Sequence, residues 1–259
     1  MIERDKYIFC IEWGKRFYFV IYLINMLFII PTPIGNREDI TLRALRLFKE
    51  LSVFFCEDTR TARSLFAMYN IPTQDKKFCS LTSFTASNLL TYYQELISRW
   101  DCGLISEAGT PWLSDPGKEL VKICVDHHYA FEVLPGATAL IPAVVASWFD
   151  TKQFIFYGFM PTKKGRNKML QKMMTSQFPS FFYESVHRIV KLSQELQDLH
   201  YDGLISISRE ISKLHHQHRN GNLIQWQSIL TDQTMMLKWE RVIGLQPISP
   251  QIDDQKYIL

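Results

Sequence analysis

Twelve residues from Ser106 to Gly117, SEAGTPWLSDPG, hold two glycines, two prolines and two carboxylates. Ordinary turn chemistry rarely needs such a density. Gly109 lets backbone approach a ligand closely, Pro111 and Pro116 fix the path of the chain, and Glu107, Ser114 and Asp115 supply polar groups for a ligand or for the loop itself. Two other loops share this character: PTPIGN (Pro31–Asn36), with its bare backbone at Gly35, and LPGATA (Leu134–Ala139), whose small residues suit close contact with a ligand at the start of a helix.

Short apolar runs and longer segments of helical period alternate from Met26 onward, the pattern of βαβ units around a mostly parallel sheet. Strands are expected at Leu27–Ile30, Val53–Cys56, Phe78–Leu81, Gly103–Ser106 and Phe131–Leu134. Helices are expected near Thr41–Leu51, Thr61–Tyr69, Ala86–Arg99, Gly117–His127 and Thr138–Ala146. The three glycine- and proline-rich loops then leave the first, fourth and fifth strands, where open α/β sheets hold their ligands. The pattern restarts near Asp150, with strands at Phe154–Tyr157, Ser180–Tyr183 and Leu204–Ser208, helices at Lys164–Met174 and His187–Leu199, and a last strand at Val242–Leu245. The expected class is α/β with two domains, 26–148 and 149–259, and a ligand cleft between them. Residues 1–25 read as an N-terminal extension, from an over-early start codon, with Met26 as the natural start.

Bulk composition narrows the function classes. Hydrophobic residues at 47% and charged residues at 21% fit a folded globular chain and exclude long disordered tails. A formal charge of +3 falls well short of a general nucleic-acid binder, so any anionic partner must be met by local clusters. Five cysteines, odd in number and without a C-x-x-C pair, suggest neither a disulfide framework nor a zinc site and fit reduced thiols in a cytoplasm. The apolar run Phe17–Ile30 is shorter than the about 20 residues a spanning helix needs. His215, His216 and His218, and likewise His127 and His128, lack the carboxylate or cysteine companions of a metal site. No G-x-G-x-x-G follows the first strand, which argues against a dinucleotide-binding dehydrogenase.

Seven blocks, in order, resemble the small-subunit ribosomal RNA cytidine 2′-O-methyltransferases, a branch of the tetrapyrrole (corrin/porphyrin) methylase superfamily. They are PTPIGNREDITLRAL (Pro31–Leu45), CEDTRTAR (Cys56–Arg63), SEAGTPWLSDPG, LPGATAL, GFMPTKKG (Gly158–Gly165), YESVHR (Tyr183–Arg188) and REISKLH (Arg209–His215). The resemblance spans about Met26 to Gly244 and implies two α/β domains, a homodimer and S-adenosylmethionine as methyl donor with no metal. It implies donor contacts at Pro33, Gly35, Glu107, Ala108, Gly109, Thr110, Asp115, Pro135, Gly136 and Ala137. This chain departs from the family in four places: Glu107 stands for an aspartate, Ser83–Asn88 lacks the usual histidine and glutamate, residues 1–25 are extra, and Lys238-Trp239-Glu240 replaces a lysine-glycine-glutamate turn.

The implied partner is small-subunit ribosomal RNA, free or in the assembled subunit, with cations Arg60, Lys163, Lys164, Arg166 and Arg188 forming a rim beside His187. Lys213 and Arg219 extend that rim. A ribose hydroxyl is a poor nucleophile at neutral pH, so a base is wanted. Glu57, Glu184, Glu210 and Lys213 are the candidates; Glu210 with Lys213 is favoured, since they sit three residues apart at a strand end where both can reach one hydroxyl. Two rivals share the fold: a methylase acting on a porphyrin or corrin carbon, and a non-catalytic relative that binds donor and RNA or protein.

Overall fold

The computed structural model describes residues 7–13, 16–22, 25–82, 85–112, 117–231 and 241–247. The described chain forms a two-stranded antiparallel ribbon, β1 (Tyr7–Trp13) with β2 (Arg16–Tyr22), and two five-stranded sheets. It separates into two compact units: Met1–Pro33 with Glu38–Ala137, and Ile34–Arg37 with Thr138–Leu259.

Unit 1 carries a parallel sheet of β3 (Met26–Ile30), β4 (Val53–Cys56), β5 (Lys77–Ser80), β6 (Cys102–Ile105) and β7 (Ala130–Val133), in the order β5-β4-β6-β3-β7. All five strands lie within about a residue of their expected places. The strong signal is physical: a parallel strand buried on both faces reads as an unbroken apolar run. Alternate side chains feed two cores. Leu27, Ile29, Val53, Phe55 and Leu104 pack with Tyr93 and Ile97 of α3 (Ser87–Arg99) and with Leu120 and Cys124 of α4 (Lys118–His127). Ile30, Phe54, Cys56 and Ile105 pack on the other face with Leu47 and Phe48 of α1 (Leu42–Glu50) and Phe66 of α2 (Thr59–Met68).

Aromatic rings hold that second face. Phe48 stacks on Phe66 at 4.6 Å, and Phe54 meets Phe66 edge-on at 4.9 Å. Gly103 opposes Phe54, where an added Cβ would lie 2.7 Å from the ring. A glycine inside a strand normally weakens it; here it makes room for the cluster.

Unit 2 holds a mixed sheet in the order β11-β10-β12-β9-β8. Its strands are β8 (Ile155–Phe159), β9 (Ser180–Glu184), β10 (Gly203–Arg209), β11 (Gln217–Gly221) and β12 (Arg241–Pro247). Only β8 and β9 pair in parallel; β12 runs antiparallel between β9 and β10. One face is covered by α6 (Arg166–Met174), α7 (Ile189–Asp198) and α8 (Leu223–Thr231), through Leu170, Leu192, Leu196 and Trp226. The other face takes α5 (Leu140–Ala146), whose Leu140, Ala143 and Val144 pack on Phe149, Phe181 and Val242. This helix therefore shares a core with unit 2, although in sequence it stands before the restart near Asp150.

Two elements of unit 2 have no clear signal in the sequence. Strand β11, QHRNG, has no apolar alternation because it is an edge strand, and α8 follows it after a single residue. Among the described residues no helix is long and apolar enough to cross a membrane.

Cys56, Cys79, Cys102 and Cys124 are buried free thiols of unit 1. Burial pushes Cys56 and Cys102 up to about 12 and Cys124 to about 11. The thiolate is the reactive form, so these four are expected to resist alkylation in the folded protein at pH 8 and to react on denaturation, as mass mapping would read. Phe54→Ala is expected to destabilise unit 1 by about 3–5 kcal/mol in urea, and Leu42→Ala, at 86% exposure, by under about 0.5 kcal/mol.

Candidate functional site

Strand order brings the three loops of unit 1 together. Because β3 lies between β6 and β7 and all three run parallel, the loops after them leave one edge of the sheet side by side. Direct bonds then join them. The amides of Thr32 and Gly109 each donate to the other's carbonyl at 2.9 Å, a single antiparallel bridge between the first and second loops. Thr32 Oγ1 donates to the Ser106 carbonyl at 3.1 Å, and Ser106 Oγ donates to the Gly109 carbonyl at 2.9 Å. Thr110 Oγ1 donates to the Ala137 carbonyl at 3.2 Å, which ties in the third loop.

Two glycines permit this arrangement. Gly109 has a φ of +87°, in the left-handed region, and is buried. Gly136 passes so close to Pro31 that an added Cβ would lie 2.6 Å from the proline Cβ. The outcome is a shelf whose hydrogen bonds run inward while Glu107, Ala108, Pro135 and Gly136 are exposed and Pro33, Thr110 and Ala137 are half-buried. Of the donor contacts expected in unit 1, seven are thus gathered on one surface; Asp115 lies outside the described residues. Beside Glu107 a small pocket opens at the ends of β4 and β6, lined by Glu57, Asp58, Thr61, Leu65, Ser106 and others. Thr61, Leu65 and Ser106 were not expected there. For Thr61 and Ser106 the signal lay in blocks already singled out, since the sheet order sets the end of β4 beside the end of β6; Leu65 lies two residues beyond its block.

Asp58 caps α2, accepting from the Arg60 amide at 2.7 Å, and its carboxylate pairs with the Arg60 guanidinium at 2.7 Å. The hydrogen bonds from the Arg60 side chain and backbone hold this carboxyl down at about 2. Its contribution to the helix start is therefore full above the ordinary carboxylate range, and is lost as pH falls through about 2. The Arg60 side chain is otherwise 90% exposed.

In unit 2 the expected pair Glu210 and Lys213 follows the end of β10 in a tight turn. The Lys213 amide donates to the Glu210 carbonyl at 2.9 Å, and Glu210 and Ser212 hold φ values of +49° and +68°. Positive φ at non-glycine residues is uncommon and clusters at functional sites. Glu210 is buried at 9% exposure. The Ser212 Oγ accepts from the Asn36 amide at 3.2 Å, and an added Cβ at Gly35 would run into Lys213 Cγ. Gly35, expected at the donor, is exposed and makes this close approach within unit 2.

The basic blocks divide. Lys163, Lys164 and His187 are exposed as expected. Arg166 is not part of an exposed rim: it is 2% exposed, with Nε 2.8 Å from Glu195 Oε2 and Nη1 3.1 Å from the Pro161 carbonyl. Glu184, a candidate base, is fully buried; its Oε1 accepts from the Ser185 amide at 2.8 Å and from Arg188 Nε at 2.6 Å. Its Oε2 lies 2.6 Å from Arg166 Nη1, close but outside hydrogen-bond alignment. Fully buried against the Ser185 amide, Arg188 and Arg166, Glu184 presents no exposed oxygen to a substrate hydroxyl, and it is not carried forward as the base. Arg188 is half-buried against it.

The histidine tract forms a polar relay. Ser208 Oγ and His218 Nδ1 are 2.6 Å apart, and His218 Nε2 and His216 Nε2 are 2.7 Å apart. Burial, and next the charge of His216, lower the His218 pKa. Arg209 and Arg241 face each other in register across β10 and β12 and are both buried. Burial, and next the charge of Arg209, lower the Arg241 pKa.

Relatives and neighbours agree on what this architecture is. A family model described as tetrapyrrole (corrin/porphyrin) methylases matches residues 26–225. The protein named ribosomal RNA small subunit methyltransferase I in Helicobacter pylori is 34% identical over 236 residues, covering 84% of this chain and 82% of its own length. Its namesake in Hydrogenobaculum sp. is 36% identical over 202 residues, with 76% of this chain and 85% of that protein covered. Among solved structures, the methyltransferase CobJ superposes with a TM-score of 0.60 at 16% identity, over 87% of this chain and 98% of that one. Uroporphyrin III C-methyl transferase from Thermus thermophilus does so at 0.55 and 16%, over 85% and 97%. At such identities the solved structures speak for the fold alone. By model and by relatives together, this chain is a member of the tetrapyrrole (corrin/porphyrin) methylase family, in the group of the small-subunit ribosomal RNA methyltransferase I proteins.

Proposed function

We propose that this chain is an S-adenosylmethionine-dependent methyltransferase that methylates the 2′-hydroxyl of a cytidine ribose in small-subunit ribosomal RNA. The observation that carries the reading is the three-loop shelf of unit 1, in a chain whose relatives at 32–36% identity are named as small-subunit ribosomal RNA methyltransferases. The shelf suits the donor chemically. Exposed backbone at Ala108, Pro135 and Gly136 lies beside the exposed carboxylate of Glu107, a match for a ligand bearing an ammonium and ribose hydroxyls. Pro33, Thr110 and Ala137 complete the holding set, and Asp115 belongs to it by its place in the loop. Bound there, S-adenosylmethionine supplies an electrophilic methyl group on a sulfonium.

The rest of the reaction falls to side chains of unit 2. Glu210 would take the proton released when the ribose oxygen accepts that methyl group and the donor leaves as a neutral thioether, and the turn that fixes Glu210 also holds the backbone of Lys213. Lys163, Lys164, His187, Arg188 and, in unit 1, Arg60 take the RNA backbone, which positions without reading sequence. The reading includes a homodimer, to be checked by light scattering against twice the 30.5 kDa chain mass, and action in the cytoplasm on RNA or on the assembled subunit. Residues 1–25 stand as an extension to the methylase fold, whose match begins at residue 26.

Small ribosomal subunits from a strain without the endogenous methylase, incubated with this protein and radiolabelled donor, are expected to carry label on a cytidine 2′-oxygen. Donor binding with label only on a porphyrinoid, or with no transfer, would favour the carbon-methylating or the non-catalytic rival. Glu107→Ala is expected to weaken donor binding by about ten- to hundredfold, read by calorimetry. Glu210→Gln is expected to lower kcat by about 10²- to 10⁴-fold with donor affinity unchanged; retention of full kcat would remove Glu210 as the base.

A further inference from the structure

Arg166 stands in the middle of the basic block GFMPTKKGRNK, yet its side chain is the most deeply enclosed charge of that block. Its guanidinium touches three things at once: the Pro161 carbonyl at the start of its own loop, Glu195 on α7, and Glu184 at the end of β9. Glu184 in turn holds the next loop, through the Ser185 amide and Arg188. A single buried pair therefore links the two loops that present Lys163, Lys164 and His187 to solvent. The backbone joins them again, where the Met160 amide donates to the Tyr183 carbonyl at 3.0 Å.

A buried ion pair is a weak argument for stability. Buried ion pairs are often no better than apolar packing of the same volume, and their best-attested use is to fix one arrangement over others. A lysine would keep the charge but could not engage a carbonyl and two carboxylates with one rigid fork. Gly165, with φ at +85°, lets the loop turn directly into α6 so that Arg166 points inward while Lys163 and Lys164 point out.

Resting on the reading of this chain as an RNA methyltransferase, we infer that Arg166 is a positioning residue for substrate RNA. Through Glu184 it sets the spacing of the Pro161–Gly165 and Ser185–Arg188 loops, so that their cations meet the RNA backbone together, and it makes no RNA contact itself.

The test is a mutant cycle on binding of a small-subunit ribosomal RNA transcript as a function of salt, with donor affinity measured in parallel. Each phosphate contact adds about 0.7 to 0.9 to the slope of log affinity against log salt. K163A/K164A is expected to lower the slope by about 1.4 to 1.8 on that basis. R166K is expected to lower it to a similar extent, with donor affinity held within about twofold, and K163A/K164A placed on R166K is expected to add little, because coupled residues are not additive. A wild-type slope in R166K would overturn the inference, since a direct phosphate contact survives that change whereas the fork that links the two loops does not. Full additivity in the combined variant would overturn it as well. Should R166K lose donor binding through misfolding, E195Q, which alters only the partly exposed partner, takes its place in the cycle: a lowered slope supports the inference, and a wild-type slope or full additivity overturns it. Wild-type protein that binds no small-subunit RNA would overturn the functional reading and this inference with it.

Discussion

The reciprocal bridge between Thr32 and Gly109 is the contact on which the site of unit 1 depends. It extends the pairing of β3 with β6 beyond the ends of both strands, in the opposite sense, and so turns two loops into one surface. Thr32, Ser106 and Gly109 satisfy one another's polar groups in a place where each is buried, which a loop edge without water requires. With its own hydrogen bonds directed inward, the shelf presents exposed backbone without having to rearrange to do so. That is preorganisation in the plain sense: the ordering cost is met in folding, before any ligand arrives.

Unit 2 uses charge where unit 1 uses backbone. Its sheet ends in a row of polar side chains in register, Glu184, Arg241, Arg209 and Gln217, at the same edge as the Glu210 turn. Arg209 Nε donates to Gln217 Oε1 at 2.8 Å, and Glu184 sits between Arg166 and Arg188. Such a row is costly to bury, and each member constrains its neighbours. The strained turn at Glu210 and Ser212 stands directly after it, seated on Asn36 and Gly35. A rigid, charged strand end fixes the backbone of the turn that follows it.

Much of this was legible in the chain. The inner strands of unit 1, β3, β4 and β6, are buried on both faces and announce themselves as apolar runs, whereas β11 lies at an edge, is half-exposed and carries no such run. Helix α5 reads as the last helix of the first unit because strand and helix alternate up to it; only packing shows that its buried face belongs with Phe149 and Phe181. The loops were readable as chemistry because glycine, proline and carboxylates seldom gather by chance, but not which loops touch, since adjacency comes from the strand order β5-β4-β6-β3-β7.

Residue types and spacing by themselves determined the fold class, the three special loops and the basic blocks, because each is a local signal written in consecutive residues. What only the tertiary structure decided is how each charge is used. Arg166 and Lys164 stand two positions apart in one block, one enclosed by carboxylates and the other in solvent; Gly35 closely approaches Lys213, far along the chain. Burial and partnership are properties of distant segments brought together, and a charge changes its role completely when it leaves water.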